Sequence, residues 1–269
     1  MQLDADGRQV AEYIPTPRTR LRPTGIEVWV RIGHDDVRLT AHRVTGMGSV
    51  ELLLLEPIDE HHRWLAARLY GGDARQRVMH ELILGVGGVR ALRALGYTID
   101  VYHFNEGHAL FAGFELIRER MAVGTSFEDA VVETRKEVVF TTHTPVPAGN
   151  EVHPLQTLWD LGVHLDALSW DQLRSIGGDP FEMTPAALRI SRIANAVAEL
   201  HGETARAMWA HITDAAPIHA ITNGVHMPTW QDGEIARLAR NGDAETLWTR
   251  HQTLKTNLLE EIETRAGVT

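Results

Sequence analysis

One pattern constrains this chain more than any other: three times, an apolar, β-prone run ends in a polar segment close to a stretch with helical spacing. The runs Ile99 to Phe104, Val138 to Phe140 and Ile218 to Thr222 lead into three such segments. These are Phe104-Asn105-Glu106-Gly107-His108, then Thr141-Thr142-His143-Thr144-Pro145-Val146-Pro147-Ala148-Gly149, then Ile221-Thr222-Asn223-Gly224-Val225-His226-Met227-Pro228-Thr229-Trp230. Strand-to-helix passages in series imply parallel strands joined by helical crossovers, since a tight hairpin cannot connect a parallel pair. In an open sheet of this kind the strand C-termini share one edge, and groups delivered from several strands converge on a crevice where ligands bind. The expectation is an α/β fold with one site built from the three segments.

The flanking elements fit around that sheet. Residues 26–55 contain the β-rich runs Ile26 to Arg31, Val37 to Thr40 and Val50 to Leu55, separated by Gly33-His34-Asp35-Asp36 and Gly46-Met47-Gly48. Such spacing predicts an antiparallel hairpin or meander. From Arg63 to Leu95 the spacing is helical, interrupted by Tyr70-Gly71-Gly72-Asp73 and Gly85-Val86-Gly87-Gly88. The second glycine cluster follows a helix rather than a strand and is not G-x-G-x-x-G, so close helix packing accounts for it better than a dinucleotide loop. Ala109 to Met121 places Leu110, Phe114 and Ile117 on one helical face, and Ser126 is positioned to cap a helix that ends near Lys136. Residues 150–183 are loop-rich, with Trp159 and Trp170 on short helical pieces. Thr184-Pro185 predicts an N-cap with a first-turn proline, and Ile193, Val197 and Leu200 predict a helical stripe carrying Asn195 and His201. The last ~35 residues have amphipathic helical spacing.

Composition excludes several classes of function. A net charge of −10 speaks against a nucleic-acid backbone as the main partner, because phosphate binding needs concentrated positive charge. The longest apolar runs, such as Leu52 to Leu55, are far short of the ~18 residues of a membrane span, and the N-terminus has no signal-peptide pattern, so the expected location is the cytoplasm. With 269 residues and 43% hydrophobic content, the chain can fill one large or two small cores. It has no cysteine, which excludes disulfides and thiolate metal sites. Its only lysines are Lys136 and Lys255.

Among the residues that can carry chemistry, His143 precedes Pro145 and Pro147, which fix φ and remove two backbone donors. A rigid loop of this kind can aim an imidazole or a carbonyl at a ligand hydroxyl; a loop histidine bonded to its own backbone is the competing reading. Asn223 precedes Gly224, a pair that marks a turn, and its amide is equally suited to donate to one sugar hydroxyl and accept from another. His103-x-x-Glu106-x-His108 holds ligand types that zinc accepts, but strand alternation turns His103 away from the other two, and no H-E-x-x-H spacing follows His80-Glu81. No metal site is expected. Nor is there a G-x-S-x-G elbow, a phosphate loop or a Cys-His pair.

Taken together, the segments resemble the α-glucan (glycogen, starch, maltodextrin) phosphorylases, particularly their short bacterial and archaeal branch. The resemblance is carried by Gln2 to Gly7, Arg68 to Asp73, Leu84 to Leu92, the three polar segments, and Asn195-Ala196-Val197-Ala198-Glu199-Leu200-His201, in the family's order along nearly the whole chain. It implies a Rossmann-like parallel sheet within a partial N-terminal domain of a GT-B type two-domain glycosyltransferase. On that reading residues 1–231 form the partial domain, with 1–60 β-rich, and 232–269 form a helical tail. The implied reaction moves a glucosyl unit between an α-1,4-glucan and inorganic phosphate, giving glucose 1-phosphate. His143 would contact the transferred glucose, Asn223 would hold its hydroxyls, Glu106, His108 and Thr144 would line the adjoining pocket, and Trp230 would approach the cofactor.

That cofactor is pyridoxal 5'-phosphate, held in the family by a lysine of the second domain, and neither Lys136 nor Lys255 lies in a segment like the cofactor motif. The resemblance therefore implies a central piece of a phosphorylase, without the glycine-rich loop that would precede Gln2, inactive unless another chain complements it. Self-association through an exposed face is the related expectation. A non-catalytic saccharide-binding remnant is the second reading, and a metal-dependent hydrolase the third.

Overall fold

The computed structural model describes residues 2–3, 9–10, 18–46, 48, 50–68, 72–146 and 149–266. Parts of the readings above on residues 4–7, Met47, 69–71 and 147–148 lie outside them. The chain divides into two compact units, Thr19–Asn223 and a second made of Met1–Arg18 with Gly224–Thr269. The second unit begins with strands β1 (Gln2–Leu3) and β2 (Gln9–Val10), which pair antiparallel.

The larger unit opens with an antiparallel sheet. Strand β5 (Asp35–Val44) pairs with β3 (Leu21–Pro23) and β4 (Val28–Ile32) and also with β6 (Leu52–Pro57). In β4, Val28, Val30 and Ile32 are buried while Trp29 and Arg31 are exposed, the alternation of a sheet with one packed face. Ile32 pairs with Asp35 across Gly33-His34, and Gly33 supplies the positive φ of 61° that a two-residue hairpin turn requires. The meander expected over residues 26–55 is what forms.

Helix α1 (Ala74–Leu82) is capped by Asp73, whose side chain accepts the Gln76 amide, and it runs through a π-helical turn at Ile83–Gly87 into α2 (Gly88–Ala94). A Cβ on Gly85 would lie 2.5 Å from the Ala112 amide nitrogen, and one on Gly87 would lie 2.7 Å from Leu39 Cδ1. The glycines thus let this helix pass close to its neighbours, as the sequence implies.

The second sheet is parallel throughout, with the order β12-β11-β8-β7. Strand β7 (Tyr102–Asn105) leads to α3 (Leu110–Ala122) and α4 (Phe127–Glu137), the latter capped by Ser126, and then to β8 (Val138–Thr142). A minor pair, β9 (Val152–His153) and β10 (Phe181–Glu182), brackets α5 (Leu155–Asp160) and α6 (Trp170–Gly177). Then come α7 (Met183–Arg189), β11 (Ile193–Ala196), α8 (Glu199–Met208) and β12 (Ile218–Ala220).

Two expectations are corrected here. Ile193 begins a strand, not a helical stripe, and Asn195 lies on β11, because residues 193–196 pair in parallel register with Val139 to Thr142. Periodicity cannot detect that non-local pairing, which overrides local helical spacing. His201 does lie on a helix, α8. Thr184 is not an N-cap: that position is Glu182, and the Thr184 hydroxyl, already inside the first turn of α7, donates to Asn150 Oδ1 at 3.0 Å.

The core is built on fully buried Phe111, Phe114, Phe140 and Phe181, with Phe114 and Phe181 edge to face at 6.1 Å. Within it, the buried Glu115 on α3 accepts from Arg90 Nε of α2 at 2.8 Å and from Arg118 Nη2 at 2.7 Å, and Arg90 also donates to the Trp29 carbonyl of β4 at 2.5 Å.

In the second unit, α9 (Met227–Trp230) precedes α10 (Gly233–Asn241) and α11 (Ala244–Ala266). The C-terminal amphipathic stretch is thus divided at Gly242, which takes a left-handed φ of 73°. Asp232 caps α10 and is ion-paired with Arg250 of α11 at 2.8 Å. Among the described residues no helix is long and apolar enough to cross a membrane.

Candidate functional site

The site is organised at the C-terminal ends of β7 and β8. Glu106 follows β7 with a φ of 62°, a strained conformation for a non-glycine residue, and its amide donates to the Thr141 carbonyl at 2.9 Å. That turn directs the carboxylate across to the loop after β8. Glu106 Oε1 there accepts the His143 amide, the Thr144 amide at 3.0 Å and the Thr144 hydroxyl at 3.2 Å. One acidic side chain thus joins two of the three polar segments, and it does so through backbone donors, which fixes the loop rather than a rotamer. His143 itself is exposed, and its imidazole has no hydrogen-bond partner among the described residues.

Beside this junction lies a cleft of about 140 Å³ whose lining includes Arg77, Glu106, His108, Thr144, Asn150 and Glu151. His108, in the turn that leads into α3, places Nδ1 3.2 Å from Glu81 Oε1 of α1. Burial pushes the Glu81 carboxyl up to about 7, with His108 opposing the shift. The bond to Glu81 in turn raises His108. Glu151 goes the other way: burial alone would raise it, but the His153 imidazole, the Arg77 guanidinium and the Glu81 carboxyl outweigh that and hold it at about 2. Asn150 joins the loop to α7, accepting from Thr184 and donating its amide to the Val146 carbonyl at 3.1 Å.

Glu106, His108 and Thr144 are therefore brought together, with His143 fixed at the same junction. Asn223 does not line this cleft; it is exposed beyond β12, its backbone N–H donating to the Val197 carbonyl at 3.0 Å. Trp230 belongs to the other compact unit and is 79% exposed. His103 is tied through Nε2 to the Thr141 hydroxyl at 2.6 Å, and that hydroxyl donates to Asn195 Oδ1 at 2.7 Å. Sequence reasoning missed Arg77, Glu81, Asn150 and Glu151. Of these only Glu81 left a local signal, a carboxylate between the buried Val78 and Leu82 on an apolar helical face.

No family model matches the chain. Among solved structures, the catalytic domain of starch synthase IV from Arabidopsis thaliana, bound to ADP and acarbose, superposes with a TM-score of 0.54 over 78% of this chain and 42% of that one, at 14% identity. The chain accordingly shares the fold of that domain, an α/β architecture with a parallel sheet. Sequence is more specific. Maltodextrin phosphorylase of Thermococcus litoralis is 36% identical over 260 residues, covering 88% of this chain and 31% of the relative. Glycogen phosphorylase of Mycobacterium tuberculosis is 36% identical over 286 residues, covering 88% and 33%. The chain is a relative of the α-glucan phosphorylases and spans about a third of the length of these two.

Proposed function

We propose that this chain supplies the glucan-binding side of an α-glucan phosphorylase site, one that exchanges a glucosyl unit between an α-1,4-glucan and phosphate to give glucose 1-phosphate. The observation that carries this reading is Glu106 holding the His143-Thr144 loop at the mouth of a polar cleft. In that arrangement the His143 carbonyl and imidazole meet the hydroxyls of the transferred glucose. His108 and Thr144 line the adjoining pocket and Asn223 holds further hydroxyls; for Trp230 the proposal is a role toward the cofactor. The location is cytoplasmic.

Pyridoxal 5'-phosphate is the family's cofactor, but the lysines here do not fit it. Lys136 lies exposed on α4, with Nζ donating to Glu133 at 2.6 Å, and Lys255 is exposed on α11. A complete reaction needs a complementing chain or further polypeptide to supply the lysine and the basic residues for phosphate. The same observation favours saccharide binding without turnover as the second reading.

The test is to incubate the purified chain with maltodextrin, phosphate and pyridoxal 5'-phosphate while assaying glucose 1-phosphate, and to measure maltodextrin binding by calorimetry in parallel. Binding without product is the expected result. Product from this chain alone overturns the division of labour, and absence of binding overturns the site.

A further inference from the structure

We propose that Glu81, His108 and Glu151 form a binding site for one divalent transition-metal cation of the zinc or manganese kind. The three residues come from α1, from the turn before α3 and from the segment just before β9, and one ligand atom from each lies within 4.8 Å of the other two. This set differs from the His103-Glu106-His108 spacing considered from sequence, since His103 is engaged with Thr141.

An independent observation points to a missing partner at the same place. His153 is 3% exposed, and among the described residues its Nε2 has only the ion-pair contact with Glu151 Oε2 at 3.5 Å, without a well-formed hydrogen bond. Glu81 is 2% exposed, and among the described residues its Oε2 makes no hydrogen bond. Buried polar atoms are nearly always satisfied, so the partnerless Glu81 oxygen, beside a second carboxylate, indicates that something positive belongs there. Arg77 engages Glu151 through Oε1, which leaves Oε2 for that occupant.

Chemistry and dimensions favour a cation with mixed nitrogen and oxygen ligands. One imidazole with two carboxylates suits zinc or manganese, whereas calcium and magnesium prefer all-oxygen sets. Metal bonds of about 2.0–2.2 Å in a tetrahedral site put ligand atoms roughly 3.3–3.5 Å apart. His108 Nδ1 and Glu81 Oε1 are already at 3.2 Å. Given the 4.8 Å bound, Glu151 has to approach by at most about 1.5 Å, within reach of a side-chain rotation. The fourth position opens on the cleft that His108 and Glu151 line, where water or a ligand oxygen can sit. His153 then orients the Glu151 carboxylate from behind, the usual second layer of a metal site.

The experiment is calorimetric titration of the EDTA-treated, dialysed chain with zinc chloride and with manganese chloride at neutral pH, together with visible spectra of the cobalt-loaded chain. Expected are one equivalent of saturable metal, cobalt d–d bands showing nitrogen and oxygen ligation, and at least tenfold weaker binding in Glu81→Gln and in His108→Gln. His103→Ala, outside the cluster, should bind as the parent does. The chain has 15 histidines, so zinc binding that survives Glu81→Gln unchanged overturns the assignment by placing the metal elsewhere. No saturable binding of zinc, manganese or cobalt to the unmutated chain also overturns it, and leaves a proton shared by the two carboxylates as the occupant. Far-UV circular dichroism of the variants separates lost ligation from lost fold.

Discussion

Glu106 Oε1 accepts the Thr144 backbone amide at 3.0 Å, across the gap between the ends of β7 and β8. The same oxygen takes the His143 amide, so the loop is held by an acceptor that water would have to replace twice. Leaving such donors without a partner costs about 1–3 kcal/mol each where they are shielded, and less where solvent reaches them. Glu106→Ala should therefore lower maltodextrin affinity at least tenfold, with a smaller loss in Glu106→Gln, whose amide oxygen still accepts. Calorimetry on both variants checks this, and equal affinities for alanine, glutamine and parent would sink the clamp.

The glycine run gives a sharper packing test. Gly85→Ala would drive a Cβ to 2.5 Å from backbone atoms of α3, which cannot rotate away, whereas a Cβ on Gly88 meets nothing within 4 Å. Overpacking of this kind costs about 1–3 kcal/mol or more. Gly88 has helical φ and ψ of −61° and −50°, so alanine there should stabilise by about 0.5–1 kcal/mol. Urea unfolding of the two variants should move the midpoint in opposite directions.

Glu115 provides the pH dependence. Burial alone would raise its carboxyl, but Arg118 and Arg90 outweigh that and lower it. A carboxylate depressed in the folded state contributes stability that is fully present above its unfolded value, about 4.3, and is lost as pH falls through the folded value. Glu115→Gln should thus destabilise by about 1–3 kcal/mol near neutrality, the arginines being partly solvated. The gap between variant and parent should narrow only below about pH 4. Unfolding measured at pH 7, 5 and 3 tests it; a gap that grows on acidification would reverse the sign.

These residues also show what was legible beforehand. Val138 to Phe140 and Ile218 to Thr222 announce strands because their β-prone side chains and polar ends are local signals, and the parallel sheet follows from their order. Ile193 was misread because its helical spacing with Val197 and Leu200 is real, while its pairing with Val139 is visible only once the sheet assembles. Glu106 and His108 announced themselves by following a strand. Arg77 and Glu151 did not, because their ion pair joins segments 74 positions apart. Topology was readable where it depended on order; the cleft depended on packing.

The cofactor question has its own outcome. Borohydride reduction of the chain with pyridoxal 5'-phosphate should leave no stoichiometric adduct on Lys136 or Lys255, since both lie exposed on helix surfaces. Imine formation needs a neutral amine, which a buried, desolvated lysine provides. Peptide mapping by mass spectrometry locates any adduct; one equivalent on Lys136 would reveal a cofactor site that the exposed surface of α4 does not suggest.

His143 and Asn223 supply the most searching test of the site, because they leave from strands separated by β11. If both hold one sugar ring, each alanine variant should weaken maltodextrin binding about tenfold, an effect of about 1.4 kcal/mol. The double variant should lose less than the sum, because groups that share a ligand are coupled. Strict additivity would mean that they contact separate parts of the glucan. An unchanged affinity in Asn223→Ala would return that residue to the turn chemistry its Asn-Gly sequence already explains. Only the coupled outcome supports a crevice gathered from the ends of β8 and β12, the convergence that the order of strands and helices first implied.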